Sequence, residues 1–356
     1  MNYKILIRCD GASLPEIGTG HVIRDISIAK RLINDECIKE NQIGFVSRKD
    51  GPFKRGFDLL KSAGMNILDI PDSELEWNSI AEASVILSQN AKLVIVDRLS
   101  TSEVWMRKLK SGKTKVISFD DTGNGAIYSD VLINGILHDF IERKARYVGY
   151  EYLYLNDLNI VGNRIIRDKI TNIVVTFGGY DSRDLTGFFL DSLISSARIL
   201  GSSISIELLV SNESDQVIVN WRNKIDQLLA SNICNIDMFI RPSDFYKRLS
   251  NADFAIVSGG LTVFEALAMG VPVIGLPQYE HQNKTLQNLN QKGALILGSD
   301  NMELDSSLFF NRFINLLDSS SLRLKQSEIG KKLIDGLGNN RVIEIISKEI
   351  RGSYES

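Results

Sequence analysis

A histidine lies in a glycine-bearing loop near the amino terminus, between a predicted strand and a predicted helix. The loop begins at Arg8-Cys9-Asp10-Gly11 and continues through Ile17-Gly18-Thr19-Gly20-His21 to Arg24. A short apolar run precedes it, and apolar residues at helical spacing follow it. Because α/β proteins bind ligands at the carboxyl ends of their strands, this position predicts that His21 is a catalytic residue. A histidine pKa of about 6.5 leaves the imidazole mostly neutral at cellular pH and able to accept a proton.

The two glycines before His21 favour a close approach between backbone and ligand. Gly18 and Gly20 permit backbone conformations that other residues avoid, and the N–H groups of the helix start attract an anion. A dinucleotide-binding fingerprint would need a third glycine where this chain has Ile23. The chain has three histidines, so a histidine in such a loop favours function over packing.

A second candidate site follows the predicted strand 254–257. Ser258-Gly259-Gly260-Leu261-Thr262 leads into a predicted helix. Glycines and hydroxyls beside the N–H groups of a helix start are typical of a phosphate or diphosphate site. The segment lacks Gly-Lys-Ser/Thr and is therefore not a Walker A loop. Glu265, about one turn into the helix, is a candidate to bind ribose hydroxyls, although taken alone it fits a solvated helix carboxylate better.

A glycine pair closes another predicted strand. Gly178 and Gly179 follow the run 170–176. Such a pair lets the backbone pass close to a ligand, and it is equally common in a tight turn.

The composition is that of an ordinary soluble enzyme. The 356 residues carry a formal net charge of -3, with 44% hydrophobic and 24% charged residues. The chain shows no basic stripe for nucleic acid, and no apolar run approaches the ~20 residues of a membrane span. We therefore expect no nucleic-acid partner, no stable membrane association and, without a signal peptide, a cytoplasmic protein. Cys9, Cys37 and Cys234 are too few and too far apart for a zinc site or a disulfide framework, and we expect neither a metal nor a cofactor.

Alternating strands and helices predict two doubly wound domains. The predicted strands are 4–7, 42–46, 65–68, 93–96, 115–119 and 131–133 in the first half, and 170–176, 204–210, 233–240, 254–257 and 273–276 in the second. Helical spacing covers 22–32, 303–317, 322–337 and 341–350. Strands separated by helices form parallel sheets covered on both faces. We expect a Rossmann-like domain over 1–160 with the catalytic loop, a second over 161–340, and a carboxyl-terminal helix and tail over 341–356, with 147–168 as the crossing.

These motifs together resemble the UDP-sugar hydrolase family of pseudaminic acid biosynthesis. The Arg8–Arg24 opening is the more specific signal. The motifs Leu93–Asp97, Ser118–Asp121, Gly149 with Tyr154-Leu155, Phe177–Asp181 and Ser258–Glu265 follow in the family's order, so the resemblance spans most of residues 3–300. The family is related to the transferase that adds N-acetylglucosamine in peptidoglycan synthesis. The resemblance implies a glycosyltransferase B fold, with two Rossmann-like domains, a UDP-binding second domain and substrate in the cleft between the domains.

The resemblance also implies the residues of the site. Besides the catalytic His21, it implies these substrate-binding residues: Asp10, Gly18, Gly20, Arg24, Asp97, Asp121, Tyr154, Gly178 and Gly179. The implied nucleotide-binding residues are Ile240, Ser258, Gly259, Gly260, Leu261, Thr262, Glu265, His281 and Gln282. Asp10, Arg24 and Asp121 are the candidates to orient His21 or the sugar.

The sequence departs from the family after Asp97. Arg98-Leu99-Ser100 follows, where the family typically has a tyrosine within two residues. Arg98 either addresses a carboxylated or otherwise altered sugar or is an outward, solvated arginine. The chain is also long for the family at its carboxyl end.

The resemblance predicts hydrolysis of a UDP-linked amino or deoxy sugar. Water attacks the anomeric carbon with inversion and releases UDP and free sugar. Because UDP departs as a stabilised anion, one base is sufficient where ordinary glycoside hydrolysis uses a pair of carboxylates. An inverting UDP-sugar glycosyltransferase of the same fold is the first alternative. A non-catalytic nucleotide-sugar-binding protein is the second, and His21 argues against it.

Overall fold

The chain divides into two compact units. The computed structural model describes residues 3–12, 18–35, 38–68, 77–136, 146–155, 164–196, 200–211 and 214–352. The first unit is Met1–Asn156 together with Gly336–Ser356, and the second is Asp157–Asp335. Ile17 of the opening motif, Cys37 and residues 156–163 of the expected crossing lie outside the described residues.

The first unit is built on a parallel sheet of six strands in the order β2-β1-β3-β4-β5-β6. Its strands are β1 (Ile5–Cys9), β2 (Ile43–Val46), β3 (Leu93–Asp97), β4 (Lys115–Phe119), β5 (Val131–Asn134) and β6 (Arg146–Val148). Its helices are α1 (Gly20–Asp35), α2 (Lys54–Ser62), α3 (Ile80–Ser88), α4 (Glu103–Leu109) and α12 (Gly338–Gly352).

Helices cover both faces of this sheet, which is why its strands are apolar throughout. Alternate side chains enter two separate cores. Ile5 and Ile95 pack on one face with residues of α1 and α12. Leu6 and Val94 pack on the other face with residues of α3 and α4.

The second unit has the same architecture, with strand order β12-β11-β10-β7-β8-β9. Its strands are β7 (Asn172–Thr176), β8 (Gly201–Val210), β9 (Cys234–Ile240), β10 (Phe254–Val257), β11 (Val273–Gly275) and β12 (Ile296–Leu297). Its helices are α5 (Leu185–Ser196), α6 (Asp215–Ala230), α7 (Phe245–Asn251), α8 (Leu261–Ala268), α9 (Glu280–Gln291), α10 (Ser306–Asp318) and α11 (Ser320–Leu333). All of its strand pairs are parallel. No helix in the described ranges has both the length and the apolar character needed to cross a membrane.

Three short segments differ from the sequence prediction. The expected strand 65–68 makes a single bridge, Phe45 to Ile67, beside β2. Its pairing is limited to two backbone bonds to Phe45, from Phe45 N–H to Asn66 O at 2.7 Å and from Leu68 N–H to Phe45 O at 2.8 Å. The strands β6 and β12 were not predicted, because three and two residues are too short to show a periodic pattern.

The carboxyl-terminal boundary requires a correction. The sequence predicts that 336–340 belong to the second domain and that 341–356 form a separate helix and tail, whereas the chain from Gly336 onward belongs to the first unit. The reason is the apolar face of α12, because Val342 and Ile346 are completely buried in the core that also contains Ile5 and Ile95. The Asn339 side chain fixes the start of this helix by bonding both the N–H and the carbonyl of Leu155, at 2.9 and 2.7 Å.

Candidate active site

His21 lies one residue into α1, at the carboxyl edge of the first unit's sheet. Its Nδ1 is 2.6 Å from Asp97 Oδ1, and Asp97 is the last residue of β3. The His21 side chain is 20% exposed, so Asp97 holds one edge of the imidazole while part of the ring remains accessible to solvent. The sequence named both residues, and the structure brings them into contact across 76 positions of the chain.

Arg24, one turn further along α1, completes the support of this pair. Its guanidinium donates to both oxygens of Asp97, at 2.8 and 2.6 Å. A third donor, Nη1, is 2.7 Å from Asp120 Oδ2. Two parallel hydrogen bonds to one carboxylate fix its plane as well as its position. Arg24 therefore determines where Asp97 presents its oxygen to His21.

The charges in this network fix the proton of His21 on one ring nitrogen. Burial alone would raise the pKa of Asp97, but the Arg24 guanidinium and His21 hold it well below its usual range. An ionised carboxylate only accepts hydrogen bonds, so His21 Nδ1 must donate. Nε2 then carries the free lone pair. A carboxylate that orients an imidazole and stabilises its protonated form is the arrangement of a general base.

Of two consecutive aspartates, the structure joins Asp120, and not Asp121, to Arg24. The sequence predicts that Asp121 orients His21 or the sugar, and a contact of Asp121 with the sugar stays a prediction. The backbone at Asp120 turns, with φ of 46°, and its other oxygen accepts from Gly135 N–H at 3.0 Å. Asp121 instead binds Thr101, through the N–H at 3.0 Å and the hydroxyl at 2.6 Å, and Gly123 N–H at 2.9 Å. The sequence alone cannot distinguish the two carboxylates, because only tertiary contacts give them different partners.

The remaining first-unit candidates occupy different surroundings. Asp10 binds the guanidinium groups of Arg8 and Arg48. Tyr154 is buried in the core, where its hydroxyl lies 3.0 Å from Ser27 Oγ. Gly18 is exposed with open space around its α-carbon, and Gly20 is the first residue of α1. Direct contact with a substrate therefore stays a prediction for these residues.

The second unit carries a different kind of edge, where β10 leads into α8. The helix begins at Leu261, directly after Ser258, Gly259 and Gly260, and both Leu261 and Thr262 are partly exposed. The first N–H groups of an α-helix have no partner within the helix and are free to bind an anion. Gly259 is required by packing, because a Cβ there would lie 2.6 Å from Gln282 O on α9.

The second glycine loop lies beside the first, because β7 and β10 are neighbours in the sheet. Gly178 has φ of 84°, a conformation that favours glycine, and a Cβ built on it would lie 4.0 Å from Ser258 Oγ. Gln278 holds the loop by donating to Phe177 O at 2.6 Å. Gly179 has open space around it. The sheet thus brings the glycine pair 178–179 next to the segment 258–262.

Glu265 is not a solvated carboxylate. Its side chain is only 3% exposed and accepts a hydrogen bond from the Tyr246 hydroxyl at 3.0 Å. The alternative of a solvated helix carboxylate is therefore wrong. A contact of Glu265 with ribose hydroxyls stays a prediction.

The other nucleotide candidates are more dispersed. Gln282 is buried, with its side-chain oxygen bonded to Gln278 N–H at 3.0 Å. His281 is exposed and stacks on Tyr279 with 5.6 Å between ring centroids. Ile240 is exposed at the end of β9. Of these, Gln282 lies nearest the glycine segment, since its amide nitrogen is 3.9 Å from a Cβ built on Gly260.

Comparisons with known proteins agree with this architecture. No protein-family model matches the chain. The spore coat polysaccharide biosynthesis protein SpsG of Bacillus subtilis is 26% identical over 342 residues, which cover 93% of this chain and 94% of SpsG. Among solved structures, MurG of Acinetobacter baumannii aligns with a TM-score of 0.70 at 16% identity, over 97% of this chain and 99% of MurG. The S. aureus MnaA–UDP co-structure aligns with a TM-score of 0.62 at 14% identity, over 98% of this chain and 97% of MnaA. With its two parallel six-stranded sheets, the chain has the two-domain Rossmann-like glycosyltransferase B fold.

Proposed function

We propose that this protein is an enzyme of polysaccharide biosynthesis that displaces UDP from the anomeric carbon of a UDP-linked sugar. The observation that carries the proposal is the His21–Asp97 pair, in which Asp97 binds Nδ1 and no described residue bonds Nε2, the nitrogen that would act as the base. Two comparisons support the choice of substrate and pathway. One similar protein is named for spore coat polysaccharide biosynthesis, and one similar structure was solved with UDP.

Each unit contributes a separate part of the chemistry. His21 Nε2 takes the proton from a nucleophile hydroxyl as its oxygen attacks the anomeric carbon. The bond from that carbon to the diphosphate oxygen breaks, and its electron pair leaves with UDP. Asp97 stabilises the imidazolium that forms. In the second unit, the N–H groups at the start of α8 and the Thr262 hydroxyl stabilise the charge that develops on the diphosphate, whereas the buried Ser258 hydroxyl donates to Phe177 O. A single-displacement attack of this kind inverts the anomeric centre.

The comparisons favour a sugar hydroxyl as the nucleophile. Polysaccharide biosynthesis, the process for which SpsG is named, requires new glycosidic bonds. Hydrolysis is the second candidate, and the Gly18-Thr19-Gly20-His21 opening favours it through its resemblance to the hydrolase family. The comparisons thus favour transfer, whereas the sequence alone favours hydrolysis. A purely binding role does not explain an oriented imidazole with a free nitrogen.

One experiment separates the two nucleophiles. Purified protein is incubated with a panel of UDP-sugars in ¹⁸O-labelled water, with and without candidate sugar acceptors. A transferase releases UDP only when an acceptor is present. A hydrolase releases UDP without an acceptor and incorporates the ¹⁸O label into the free sugar. Label in UDP would mean attack at phosphorus and would contradict both candidates.

The base is tested by replacing His21 with asparagine. Turnover of the active UDP-sugar should fall by about 100-fold or more, because a positioned base contributes roughly 10²–10⁴. UDP affinity, measured by calorimetry, should remain unchanged. Equal turnover in His21→Asn would remove this residue from the mechanism.

A further inference from the structure

Five charged residues form a second cluster on the carboxyl edge of the first unit's sheet. Arg8, Arg48, Arg98, Asp10 and Glu82 make up this arginine cluster. The strand register assembles it. Arg8 pairs with Val46 of β2, and Cys9 pairs with Asp97 of β3, so the residues just beyond the ends of three adjacent strands meet.

Arg8 and the two carboxylates form the buried base of the cluster. Arg8 is completely buried, donates to Asp10 Oδ2 at 2.9 Å and contacts Glu82 through Nε. Its remaining Nη1 donates to Cys9 O at 2.9 Å, and the Trp77 ring lies 4.6 Å from the guanidinium carbon. All of its hydrogen-bonding nitrogens are engaged with the protein. Arg8 is therefore a structural residue.

Arg48 and Arg98 lie on top of this base and remain partly open. The side chain of Arg48 is 24% exposed and that of Arg98 is 10% exposed. Arg48 donates from Nε to Asp10 at 2.9 Å and stacks on Phe53, with 3.5 Å from the guanidinium carbon to the ring centroid. Arg98 grips Glu82 with both Nη atoms, at 3.2 and 3.0 Å. Both guanidinium groups are thus oriented without a ligand, and Arg98 is not the outward, solvated arginine that the sequence left open.

The cluster has one positive charge too many. Within the described residues, three guanidinium groups face two carboxylates. Burial, together with the like charges of Arg8 and Arg48, lowers the pKa of Arg98 to about 10. An additional anion at Arg48 and Arg98 would balance the cluster, since guanidinium groups bind carboxylates through paired hydrogen bonds.

The arginine cluster adjoins the candidate base through consecutive residues. Asp97 holds His21, and Arg98 is the next residue of the chain. Both lie at the same end of β3. An anion bound by Arg98 and the His21 imidazole would therefore lie at the same edge of the first unit's sheet.

We propose that Arg48 and Arg98 form a subsite for a carboxylate on the sugar of the substrate, so that the enzyme acts on an acidic sugar. This inference rests on the proposed action on a UDP-sugar. The carboxylate belongs either to the sugar of the UDP-linked donor or to an acceptor sugar. The same guanidinium pair serves both sources.

Calorimetry with matched sugars tests the subsite. UDP-glucuronate and UDP-glucose differ only in a carboxylate at C6, and free glucuronate and glucose, each titrated in the presence of UDP, give the corresponding pair for an acceptor. We expect one acidic sugar to bind about tenfold or more tightly than its neutral counterpart, because hydrogen bonds to charged groups are strong. The donor pair and the acceptor pair show which molecule carries the carboxylate.

Three variants and one control locate the effect. Arg98→Gln should abolish the preference for the acidic sugar, and Arg98→Lys should retain part of it, since lysine keeps the charge without the planar fork. Arg48→Gln should weaken the preference independently, which guards against misfolding of a single variant. Arg31→Gln removes a cation of similar exposure, 28%, outside the cluster, and should leave the preference intact.

UDP alone separates this inference from the proposed function. If UDP binds but neither acidic sugar is preferred, or if the preference survives in both glutamine variants, the subsite is overturned and the nucleotide proposal stands. If UDP does not bind, the proposed function fails. Free glucuronate that binds saturably in wild type, and not in Arg98→Gln, would then still support the subsite.

Discussion

The two units present edges of the same topology with opposite chemistry. In the first unit, the carboxyl ends of the strands carry ionised side chains in two joined networks around Asp97 and Asp10. In the second, the corresponding end consists mainly of glycines, hydroxyls, amides and a helix start, around Ser258 and Gly178. Under the proposed function, this difference assigns a separate task to each edge. Proton transfer and charge recognition need ionised side chains, whereas a diphosphate is held well by neutral backbone dipoles.

The charged edge depends on exact pairing, and the neutral edge does not. Arg24 is buried against Asp97 and Asp120, so removing the Asp97 carboxylate breaks one of two buried ion pairs of this guanidinium in a site shielded from water. Backbone N–H groups at a helix start keep their orientation whichever side chains surround them. The comparison therefore predicts that substitutions at the first edge affect both stability and chemistry, and those at the second mainly affect binding.

The largest expected effect is that of Asp97→Asn. Breaking a buried ion pair by removing one partner typically costs about 3–5 kcal/mol, so the free energy of unfolding should fall by this amount in a denaturant titration. Activity should fall as well, because the amide no longer fixes the proton on Nδ1 of His21. Asp35→Asn, which breaks the exposed pair with Arg31, is the control and should cost at most about 1 kcal/mol. Equal losses in both variants would contradict a charge-dependent edge.

The same contrast explains what the sequence could predict. The glycine segment 258–262 and Glu265 are contiguous, so their spacing alone indicated a phosphate site at a helix start. The fold was predictable for a similar reason, since each apolar strand and each helix is a local pattern. To place the two glycine loops at 178 and 258 on the same side of the second unit, it is sufficient to know that parallel strands end at one edge of the sheet.

The charged edge is assembled from distant positions, and there the sequence failed in part. Asp120 was missed because its neighbour Asp121 has the same side chain and only tertiary contacts distinguish them. Glu82, on α3, carries no motif, yet it binds Arg8 and Arg98. Burial of an arginine depends on partners that spacing does not reveal. The partners of the buried charged side chains are therefore the part of the site that the sequence could not predict.

An intermediate effect is expected for Glu265→Ala on the neutral edge. If this carboxylate holds ribose hydroxyls, UDP affinity should fall by about 1–3 kcal/mol in a calorimetric titration, the range of hydrogen bonds to a charged group. Tyr246→Phe is the matched control, because it removes the partner hydroxyl and keeps the carboxylate. If instead Glu265 only anchors Tyr246, both variants will lose stability and neither will change UDP affinity.

The smallest effect on the free energy of unfolding near pH 4 is expected for Asp25→Asn, beneath the charged edge. This effect should also change with pH. Asp25 is completely buried on α1, with the Cys9 thiol beside it. Burial first, and then the negative charge of Asp97, raise the pKa of Asp25 well above its usual value, while Arg24 partly offsets them. The neutral carboxyl of the folded protein and an asparagine amide have nearly the same shape. Near pH 4, the two proteins should therefore differ by no more than about 1 kcal/mol.

The sign of the pH dependence follows from the raised pKa of Asp25. Above about pH 3.9 the unfolded chain releases this proton and the folded protein keeps it, so the contribution of Asp25 to stability is complete below that pH and declines as pH rises through the folded pKa. Asparagine does not titrate. Denaturant titrations from pH 4 to 8 should thus show Asp25→Asn gaining stability relative to wild type as pH rises. Asp58→Asn, at an exposed position of α2, is the control for the same substitution outside the core. Parallel curves for Asp25→Asn would mean that the carboxyl is equally ionised in both states, and that the charged edge tolerates an additional buried anion next to Asp97.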